Sequence, residues 1–396
     1  MLGAILFSSS AFAGNLKDSI IFQEDCEDLK SPHSRVKISS AIKVLPDGKF
    51  GKCFRIERRT VNALANGDFK KKESDAWLYR DNAVWQKKGG VKNSSCLKID
   101  GGEVVIPVTA LKKDSANAFS FYAKSPENGV VSVTWECADK EITLLKDQKI
   151  GKSFIRVKAP FGATADSGSL RIQITGVVII DNAQIDKGVN FFNSFSTPLK
   201  RRGVDMIQIP ADGRFFKPKQ GAISTWLNVP WLNDKNIISN SICGIMVVNN
   251  EAKRIKKWGD HVIFGTSCIP RKKITDKTRK SNFNFYTIDA KNRVCPISAK
   301  IINLDAAPTS GWRHLVLNWQ LGKDGKMRTE LWIDGKKIIA KVKPFGPVKK
   351  QKLMWVGYAN GAYLNGLMDD FAIFKRPLTE NEITQINTSN KALSQL

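Results

Sequence analysis

The sequence lacks long apolar runs and has few of the residues that proton transfer needs. None of its hydrophobic stretches approaches the roughly 20 residues of a membrane-spanning helix, although 42% of its 396 residues are hydrophobic. Its only histidines are His33, His261 and His314, and no HExxH motif, Ser/His/Asp arrangement or glycine-rich phosphate loop occurs. These absences argue against a helical membrane anchor and against the common hydrolase and nucleotide-binding classes.

Cysteine is scarce, and its spacing is not that of a metal cluster. Seven cysteines occur and no two form a CxxC pair, which argues against a zinc site. In an exported protein Cys26 could pair with Cys53, and Cys96 with Cys137, because the partners are close along the chain. The odd count leaves at least one thiol free or intermolecular. Buried unpaired cysteine, acting as a small apolar residue, is the alternative.

Residues 1–13 resemble a secretory signal peptide. Leu2 to Phe7 form a short apolar region, and Ala11-Phe12-Ala13 is a small-x-small cleavage site, although a positively charged start is missing. The alternative is a buried N-terminal strand. We predict that the mature chain begins near Gly14 and is secreted or displayed at the cell surface.

Positive charge is in large excess. The chain carries 63 Lys+Arg against 37 Asp+Glu, a formal net charge of +26. A field of this sign attracts polyanions such as acidic or sulfated glycans, anionic cell walls or nucleic acid. The alternative is a generally basic composition with solvated lysines. No stretch combines dense basic charge with a nucleic-acid-binding motif, so nucleic acid is the less favoured partner, and the oligomeric state is left open.

Short alternating segments dominate the chain. Apolar and polar residues alternate over 131–135, 171–175, 223–227 and 315–319, which is the period of a half-buried strand. The dipeptide Asp334-Gly335 between two such segments predicts a two-residue hairpin turn. Many short strands with polar turns predict an all-β fold of the β-sandwich or jelly-roll type.

One short helix is predicted close to the C-terminus. Thr379 is a candidate N-cap, and Glu382 three residues later completes a capping box. Residues 271–282 are basic and polar and predict an exposed loop. Residues 188–203 predict a connector.

Four motifs occur in order in the last part of the chain. They are GAISTW (221–226), GWRHLV (311–316), LWIDGK (331–336) and GLMDDFAIF (366–374). This series resembles the LamG-like, concanavalin A-like jelly-roll family. The resemblance implies that fold for residues 204–396.

The opening motifs of such a domain lie far from that series. The segments IIFQED (20–25) and GKFGKCFRI (48–56) resemble the family's first two motifs, whereas the third, VDMIQIP, falls at 204–210. The resemblance therefore implies that residues 14–60 are the first part of the same jelly roll, interrupted by another domain. In that arrangement we expect strand 204–210 to lie beside residues 50–57.

The intervening segment has motifs of its own. NGDF (66–69) precedes Trp77, FSFYAK spans 119–124, and VIIDNAQI spans 178–185. They resemble the opening, a central and the closing strand of galactose-binding-like carbohydrate-binding modules. The resemblance implies an inserted module over 61–187, which makes the whole chain two β-sandwich jelly rolls with a short C-terminal helix.

Sugar recognition combines aromatic rings, which stack on the apolar faces of sugars, with a few placed polar groups. The candidate ligand-binding residues are Tyr79, Trp85 and Trp135 in the inserted module and Tyr358, Asn360 and Tyr363 in the outer domain. For Trp135, parity with Val131 and Val133 predicts a core position instead. Aromatic residues in loops favour recognition more than those in strands do.

A structural calcium ion is implied by the same resemblance, and no other cofactor is required. Related modules hold the ion between their first and last strands, at the places that Asp68 and Asp181 occupy here, and Asp369 and Asp370 are the equivalents in the outer domain. Ca²⁺ takes about six to eight oxygen ligands. The alternative is that Asp181 and Asp370 accept backbone hydrogen bonds at strand ends.

Carboxylate pairs for glycoside hydrolysis are only weakly indicated. Glu330 and Asp334 share strand parity, but Asp334 falls in the predicted hairpin turn, and the acidic residues of 24–28 lack the Glu-x-Asp-x-x-Glu pattern. The strand face that carries Trp312 and His314 is a further candidate site.

These observations predict a secreted, non-catalytic, lectin-like protein. It would bind a polysaccharide or glycoconjugate by aromatic stacking, helped by its positive charge if the glycan is acidic or sulfated. The alternatives are a structural or adhesive surface protein that mediates protein contacts, a glucanase-type hydrolase, and a nucleic-acid-binding protein that rests on charge alone.

Overall fold

The structure is a computed structural model. It describes residues 15–57, 62–72, 77–80, 82–113, 115–137, 140–187, 205–228, 244–248, 261–265, 282–288, 294–300, 311–344, 353–359, 362–364 and 366–396. The predicted signal peptide, the connector and the basic loop at 271–281 therefore lie outside the described residues.

The first segment of the chain forms one helical turn and four short strands. They are α1 (Leu16–Ser19), β1 (Ile20–Glu24), β2 (Lys37–Ile38), β3 (Lys43–Leu45) and β4 (Cys53–Ile56). Alternation is clear in β4, where Phe54 and Ile56 are fully buried and Arg55 between them is not.

The middle of the chain forms eight strands and one 3-10 turn at Val91–Asn93. The strands are β5 (Leu78–Arg80), β6 (Ala83–Gln86), β7 (Cys96–Val108), β8 (Ala116–Lys124), β9 (Val130–Cys137), β10 (Lys140–Lys149), β11 (Ile155–Gly162) and β12 (Gly168–Lys187). They pair only with one another among the described strands, and they enclose a core that includes Phe119, Phe121 and Trp135. We call this unit the middle sandwich.

Two bent strands run through both layers of the middle sandwich. The first half of β12 pairs with β9 and its second half pairs with β8, while β7 pairs with β12 along most of its length. The bends coincide with Gly101 (φ +69°), Gly102 (φ +106°) and Gly176 (φ +74°), where the backbone adopts values that glycine tolerates without strain. One layer thus has the order β10-β9-β12-β7-β5, and the other has β6-β7-β12-β8-β11.

The last part of the chain forms thirteen further described strands and a C-terminal helix. The elements up to the basic loop are β13 (Ile207–Pro210), β14 (Gln220–Asn228), β15 (Gly244–Val248) and β16 (His261–Gly265). The others are β17 (Asn282–Ile288), β18 (Val294–Lys300), β19 (Arg313–Leu321), β20 (Lys326–Ile333), β21 (Lys336–Pro344), β22 (Leu353–Val356), β23 (Tyr358–Ala359), β24 (Ala362–Tyr363), β25 (Gly366–Phe374) and α2 (Glu380–Thr388), followed by a 3-10 turn at Leu393–Gln395.

Strands from both ends of the chain build a second unit, which we call the flanking sandwich. One sheet has the order β21-β20-β19-β14-β25-β4-β3 with β1 also on β25, and the other has β18-β17-β16-β15-β22-β13-β2. The core between these sheets joins Phe54 and Ile56 to Ile207, Ile209 and Met354. Burial of these side chains holds the first segment to the last part of the chain.

The position of β13 differs in detail from the expectation. Its partners are β2 and β22, with Ile207 opposite Ile38, whereas β4 pairs with β3 and β25 in the other sheet. The expectation that 204–210 lies beside 50–57 is therefore wrong. The physical reason is that the first segment supplies strands to both sheets, so β13 and β4 meet across the core rather than edge to edge.

The C-terminal helix has the predicted cap. The Glu382 backbone N–H donates to Thr379 Oγ1 (3.3 Å), and the Thr379 N–H donates to Glu382 Oε2 (2.8 Å). Ile383 and Ile386 are fully buried against the outer face of the first flanking sheet, in a cluster that also contains Leu16 from the opening helix. The predicted capping box is confirmed.

Four of the cysteines are free thiols. Cys26, Cys53 and Cys96, which we call the buried thiols, lie in the interior, and Cys137 is half-buried. Burial raises the pKa of Cys53 to about 12 and that of Cys96 to about 11. The suggested pairs Cys26–Cys53 and Cys96–Cys137 are therefore not formed, and the alternative of buried unpaired cysteine describes three of these residues.

Candidate functional site

Trp85 lies on β6, an edge strand of the middle sandwich, and is half-buried. The register places it opposite Leu97, which is fully buried, so the indole packs along the border of the core. Its Nε1–H donates to the carbonyl oxygen of Phe69 (2.7 Å), and the Phe69 ring lies 4.7 Å from that of Trp77. Trp85 thus combines a structural contact with a ring that is partly accessible from solvent.

Trp135 is a core residue. Its side chain is fully buried, its ring lies 4.9 Å from that of Phe161, and its Nε1–H donates to Thr164 Oγ1 (3.4 Å). The assignment of Trp135 to a ligand site is therefore wrong, because no face of the indole is open to a sugar. Its parity with Val131 and Val133 gives the physical reason.

The remaining aromatic candidates are located by backbone register. Tyr79 in β5 pairs with Val104. Tyr358 and Tyr363 are cross-strand partners in the hairpin β23–β24. Asn360 lies outside the described residues. A ligand-binding role for these residues stays a prediction.

Asp181 connects the closing strand of the middle sandwich to a loop. It lies where the pairing of β12 with β8 shifts register, and it accepts hydrogen bonds from Val91 N (2.8 Å), Ser94 Oγ (2.5 Å) and Asn182 N (2.6 Å). Burial raises the pKa of Asp181, and these hydrogen bonds act against the rise. The carboxylate therefore holds the 3-10 turn against β12.

The contacts of Asp181 and Asp68 indicate how well these residues could hold the predicted calcium ion. Asp181 already receives three hydrogen-bond donors, and Asp68 forms an ion pair with Lys70 (2.9 Å). Within the described ranges, no three His, Cys, Asp or Glu residues are close enough together to hold a metal ion. Ca²⁺ requires oxygen ligands, and N–H donors occupy much of the Asp181 carboxylate. The residues fit hydrogen-bond acceptance, the alternative given above, better than metal ligation, and calcium binding is untested.

Asp369 and Asp370 play the corresponding part in the flanking sandwich. Lys49 N and Phe50 N both donate to Asp369 Oδ2 (2.7 and 3.0 Å), while Leu393 N donates to Asp370 Oδ2 (2.8 Å). Asp370 has φ +47°, at a register shift in the pairing of β25 with β14. The GKFG motif is thus a loop in which two backbone N–H groups donate to the Asp369 carboxylate on β25.

Three carboxyl groups on the paired strands β1 and β25 are buried. Glu24, Asp369 and Asp370 are each about 1% exposed. Burial raises the pKa of Glu24 to about 7 and those of Asp369 and Asp370 to about 6. The neighbouring charges of Asp25 and Asp28 add to the rise at Glu24. We call this group the acidic cluster.

The strand face of β19 that was a candidate site is covered. His314 and Asn318 are each about 1% exposed, and His314 Nε2 lies 2.8 Å from Ser224 Oγ. The His314 ring stacks on Trp226 at 5.0 Å, and Lys49 Nζ lies 4.6 Å from the centre of the same indole. Burial lowers the pKa of His314 to about 3. His314 and Asn318 are therefore closed to a ligand and the neutral imidazole serves packing, whereas Trp312, which precedes β19, is half-buried.

Glu330 and Asp334 do not form a catalytic pair. Glu330 accepts from Trp332 Nε1 (3.1 Å) and pairs with Lys337 Nζ (3.1 Å). Asp334 has φ +49° in the hairpin turn, pairs with Arg313, and accepts from the backbone N–H of His314 on β19. Both carboxylates are committed to local structure, as the turn at Asp334-Gly335 predicts.

A different carboxylate pair, which sequence reasoning missed, lies on an outer face of the middle sandwich. Arg171 on β12 bonds Glu103 Oε2 through Nη1 (2.8 Å) and Glu136 through Nε and Nη2 (2.6 and 2.9 Å). The three residues lie on adjacent strands that are far apart in sequence. Only the alternation of each strand, combined with the strand order, could have brought them together.

The strands described above define an all-β protein of two β-sandwiches with a short C-terminal helix. Residues 272–384 match a family model described as the Concanavalin A-like lectin/glucanases superfamily. That match confirms the resemblance of the last part of the chain. A search of curated proteins found no match.

Several solved structures are similar to parts of the chain. The CBM22-1 xylan-binding domain from Paenibacillus barcinonensis Xyn10C is 12% identical, with 31% of this chain and 91% of that domain covered and a TM-score of 0.27. A structure titled "CBM4 structure and function" is 15% identical over 28% of this chain and 95% of its own, with a TM-score of 0.23. The receptor-binding domain of botulinum neurotoxin type G is 13% identical over 47% of this chain, which spans 40% of that structure, with a TM-score of 0.31.

Helix length and hydropathy show whether a helix could span a membrane. None of the helices in the described part of the chain is long and apolar enough to cross a membrane.

Proposed function

We propose that this chain is a secreted, non-catalytic, lectin-like protein that binds a polysaccharide or glycoconjugate. The observation that carries the proposal is the match of residues 272–384 to the lectin and glucanase superfamily. Partly accessible Trp85 and the paired Tyr358 and Tyr363 positions supply aromatic residues of the kind that stack on sugars.

The non-catalytic part of the proposal rests on how the carboxylates are used. Glycoside hydrolysis requires one carboxylic acid and one carboxylate on either side of the scissile bond. Glu103 and Glu136 bond the same guanidinium, which occupies the space between them. The acidic cluster has raised pKa values but is shut off from solvent.

We also propose a nested domain arrangement. Residues 14–60 and 204–396 would form a LamG-like jelly roll, 61–187 an inserted carbohydrate-binding-type module, and 188–203 a connector. The sheet memberships support it, since β2 and β4 join sheets of the last part of the chain, whereas β5 to β12 pair among themselves.

Affinity electrophoresis through gels that contain neutral and acidic polysaccharides tests the proposed function. The wild-type chain is expected to be retarded by at least one polysaccharide, and Trp85→Ala to be retarded less. Trp85→Phe is the matched control, because it keeps a stacking ring while losing the hydrogen bond to Phe69.

Each result has a distinct meaning. Migration of the wild-type chain unchanged by every polysaccharide would contradict the binding function and favour a protein-contact role. Equal retardation of wild type and Trp85→Ala would remove only the Trp85 site. Release of reducing sugar during incubation would contradict the non-catalytic assignment.

A further inference from the structure

A group of cations lies on the outer face of the β8–β11 pair. The register sets Tyr122 opposite Arg156 and Ser120 opposite Lys158, so these four residues share one face. The alternate residues of the same strands, including Phe121 and Val157, are buried in the core of the middle sandwich. The shared face is therefore the one that points away from that core.

Arg156 is held in place on this face. Its Nη2 and Nε atoms both donate to Ser120 Oγ (2.8 and 3.2 Å). Burial is the main cause that lowers the pKa of Arg156, and the positive charge of Arg55 lowers it further.

Arg55, which comes from β4 of the flanking sandwich, brings a third cation to the group. Burial, followed by the charges of Arg156 and Arg55, lowers the pKa of Lys158. Arg156 and Lys158 are two residues apart on β11 and therefore lie side by side on its outer face. Like charges held side by side in this way raise the local positive potential.

The acidic residues of this region lie deeper than the cations. Glu57 pairs with Arg55 Nε (2.5 Å), and its backbone N–H donates to Asp205 (2.9 Å). Asp186 accepts from a buried amide side chain and acts on Arg156. These three acids are 3% exposed or less, whereas the Arg55 side chain is 30% exposed and Lys158 is exposed. The layer that meets solvent is therefore positive.

We propose that Arg156 and Lys158, beside the half-buried ring of Tyr122, form a subsite for a carboxylate or sulfate group of an acidic polysaccharide. The proposal deepens the proposed function and rests on it. Arg156 bonds Ser120 through Nε and Nη2, so it contributes positive charge to the subsite, while the Lys158 ammonium is a donor for a carboxylate or a sulfate. The phenol ring supplies an adjacent apolar surface for the sugar, and Arg55 adds to the attraction from the flanking sandwich.

The test measures the affinity of the full chain for polygalacturonate, dextran sulfate and uncharged dextran by affinity electrophoresis. Polygalacturonate and dextran sulfate distinguish a carboxylate from a sulfate ligand. Lys158→Ala is expected to weaken binding of the preferred polyanion by about tenfold, which is the ratio that a loss of about 1.4 kcal/mol produces. Lys149→Ala is the matched control, because it removes the same charge from an exposed position on β10 in the other layer.

Lys158→Arg keeps the charge and is expected to retain most of the affinity. Equal losses in Lys158→Ala and Lys149→Ala would overturn the subsite, since attraction would then depend on net charge alone. Binding of neutral polysaccharides without any binding of the two polyanions would also overturn it, while leaving the proposed function in place. If no polysaccharide of either kind is bound, both proposals fail together.

Discussion

The acidic cluster predicts an unusual dependence of stability on pH. Burial raises the pKa of Glu24 from 4.5 to about 7. A carboxyl group whose folded pKa lies above its unfolded value stabilises the fold below the unfolded pKa, and this stability is lost as the pH rises through the folded pKa. We therefore expect the flanking sandwich to gain stability, rather than lose it, on mild acidification from neutral pH.

The magnitude follows from the shift at Glu24. A rise from 4.5 to about 7 corresponds to roughly 3 kcal/mol of unfolding free energy in full, and roughly 2 kcal/mol of it falls between about pH 5 and about pH 7.5. Asp369 and Asp370, with pKa values of about 6, act in the same direction. His314 acts in the opposite direction, because its lowered pKa makes the fold lose stability as the pH falls below its unfolded value.

The comparison of wild type with Glu24→Gln isolates the contribution of Glu24. Urea unfolding is followed by tryptophan fluorescence at about pH 5 and about pH 7.5, and Gln imitates the protonated carboxyl at both values. The variant is expected to gain roughly 2 kcal/mol relative to wild type as the pH rises over this range. Asp28→Asn, at an exposed position, is the control that removes a nearby charge. A difference between wild type and Glu24→Gln that does not change with pH would show that folding does not raise the pKa of Glu24.

Three further predictions concern the cap, the thiols and the metal. Thr379→Ala removes the capping box and is expected to cost about 1 kcal/mol in urea unfolding; an unchanged midpoint would show that tertiary packing alone holds α2. The buried thiols are expected to resist a thiol reagent until urea is added, and reaction in the native protein would contradict their burial. EDTA is expected to leave the thermal midpoint unchanged, whereas a fall that Asp181→Asn abolishes would establish a calcium ion.

The fold class was predictable because alternation and turn chemistry are local. Period-two patterns placed strands at 131–135 and 315–319, and Asp334-Gly335 has the two positive φ values that its hairpin turn needs. Thr379 and Glu382 likewise predict the start of a helix, because a capping box is defined by four consecutive residues. These features need no knowledge of which strand lies beside which.

Strand partners were harder to predict, because they depend on packing across the core. The motif at 48–56 indicated a strand, but not that β2 and β4 would enter opposite sheets. The cation group could not be predicted for the same reason, since the charge of Arg55 acts on Arg156 only in the tertiary structure. Trp135 is the opposite case, because the sequence alone predicted its burial. Its side chain lies on the same strand face as Val131 and Val133, and that burial excludes it from a ligand site.

The role of the aspartates was also decided by tertiary contacts. The sequence predicted that Asp181 and Asp370 lie on closing strands, but it could not decide whether they bind a metal ion or accept hydrogen bonds. The structure brings N–H groups from distant loops onto both carboxylates. The pattern of residues along one strand does not indicate which loops will contact it.

A glycan array probed with the 396-residue chain measures carbohydrate binding itself. We expect concentration-dependent binding to a defined subset of glycans, with acidic glycans prominent if Arg156 and Lys158 bind them. Weakened binding by Trp85→Ala would support the proposed aromatic site. Binding to no glycan at any concentration, from a chain that unfolds cooperatively, would show that the protein is not a lectin.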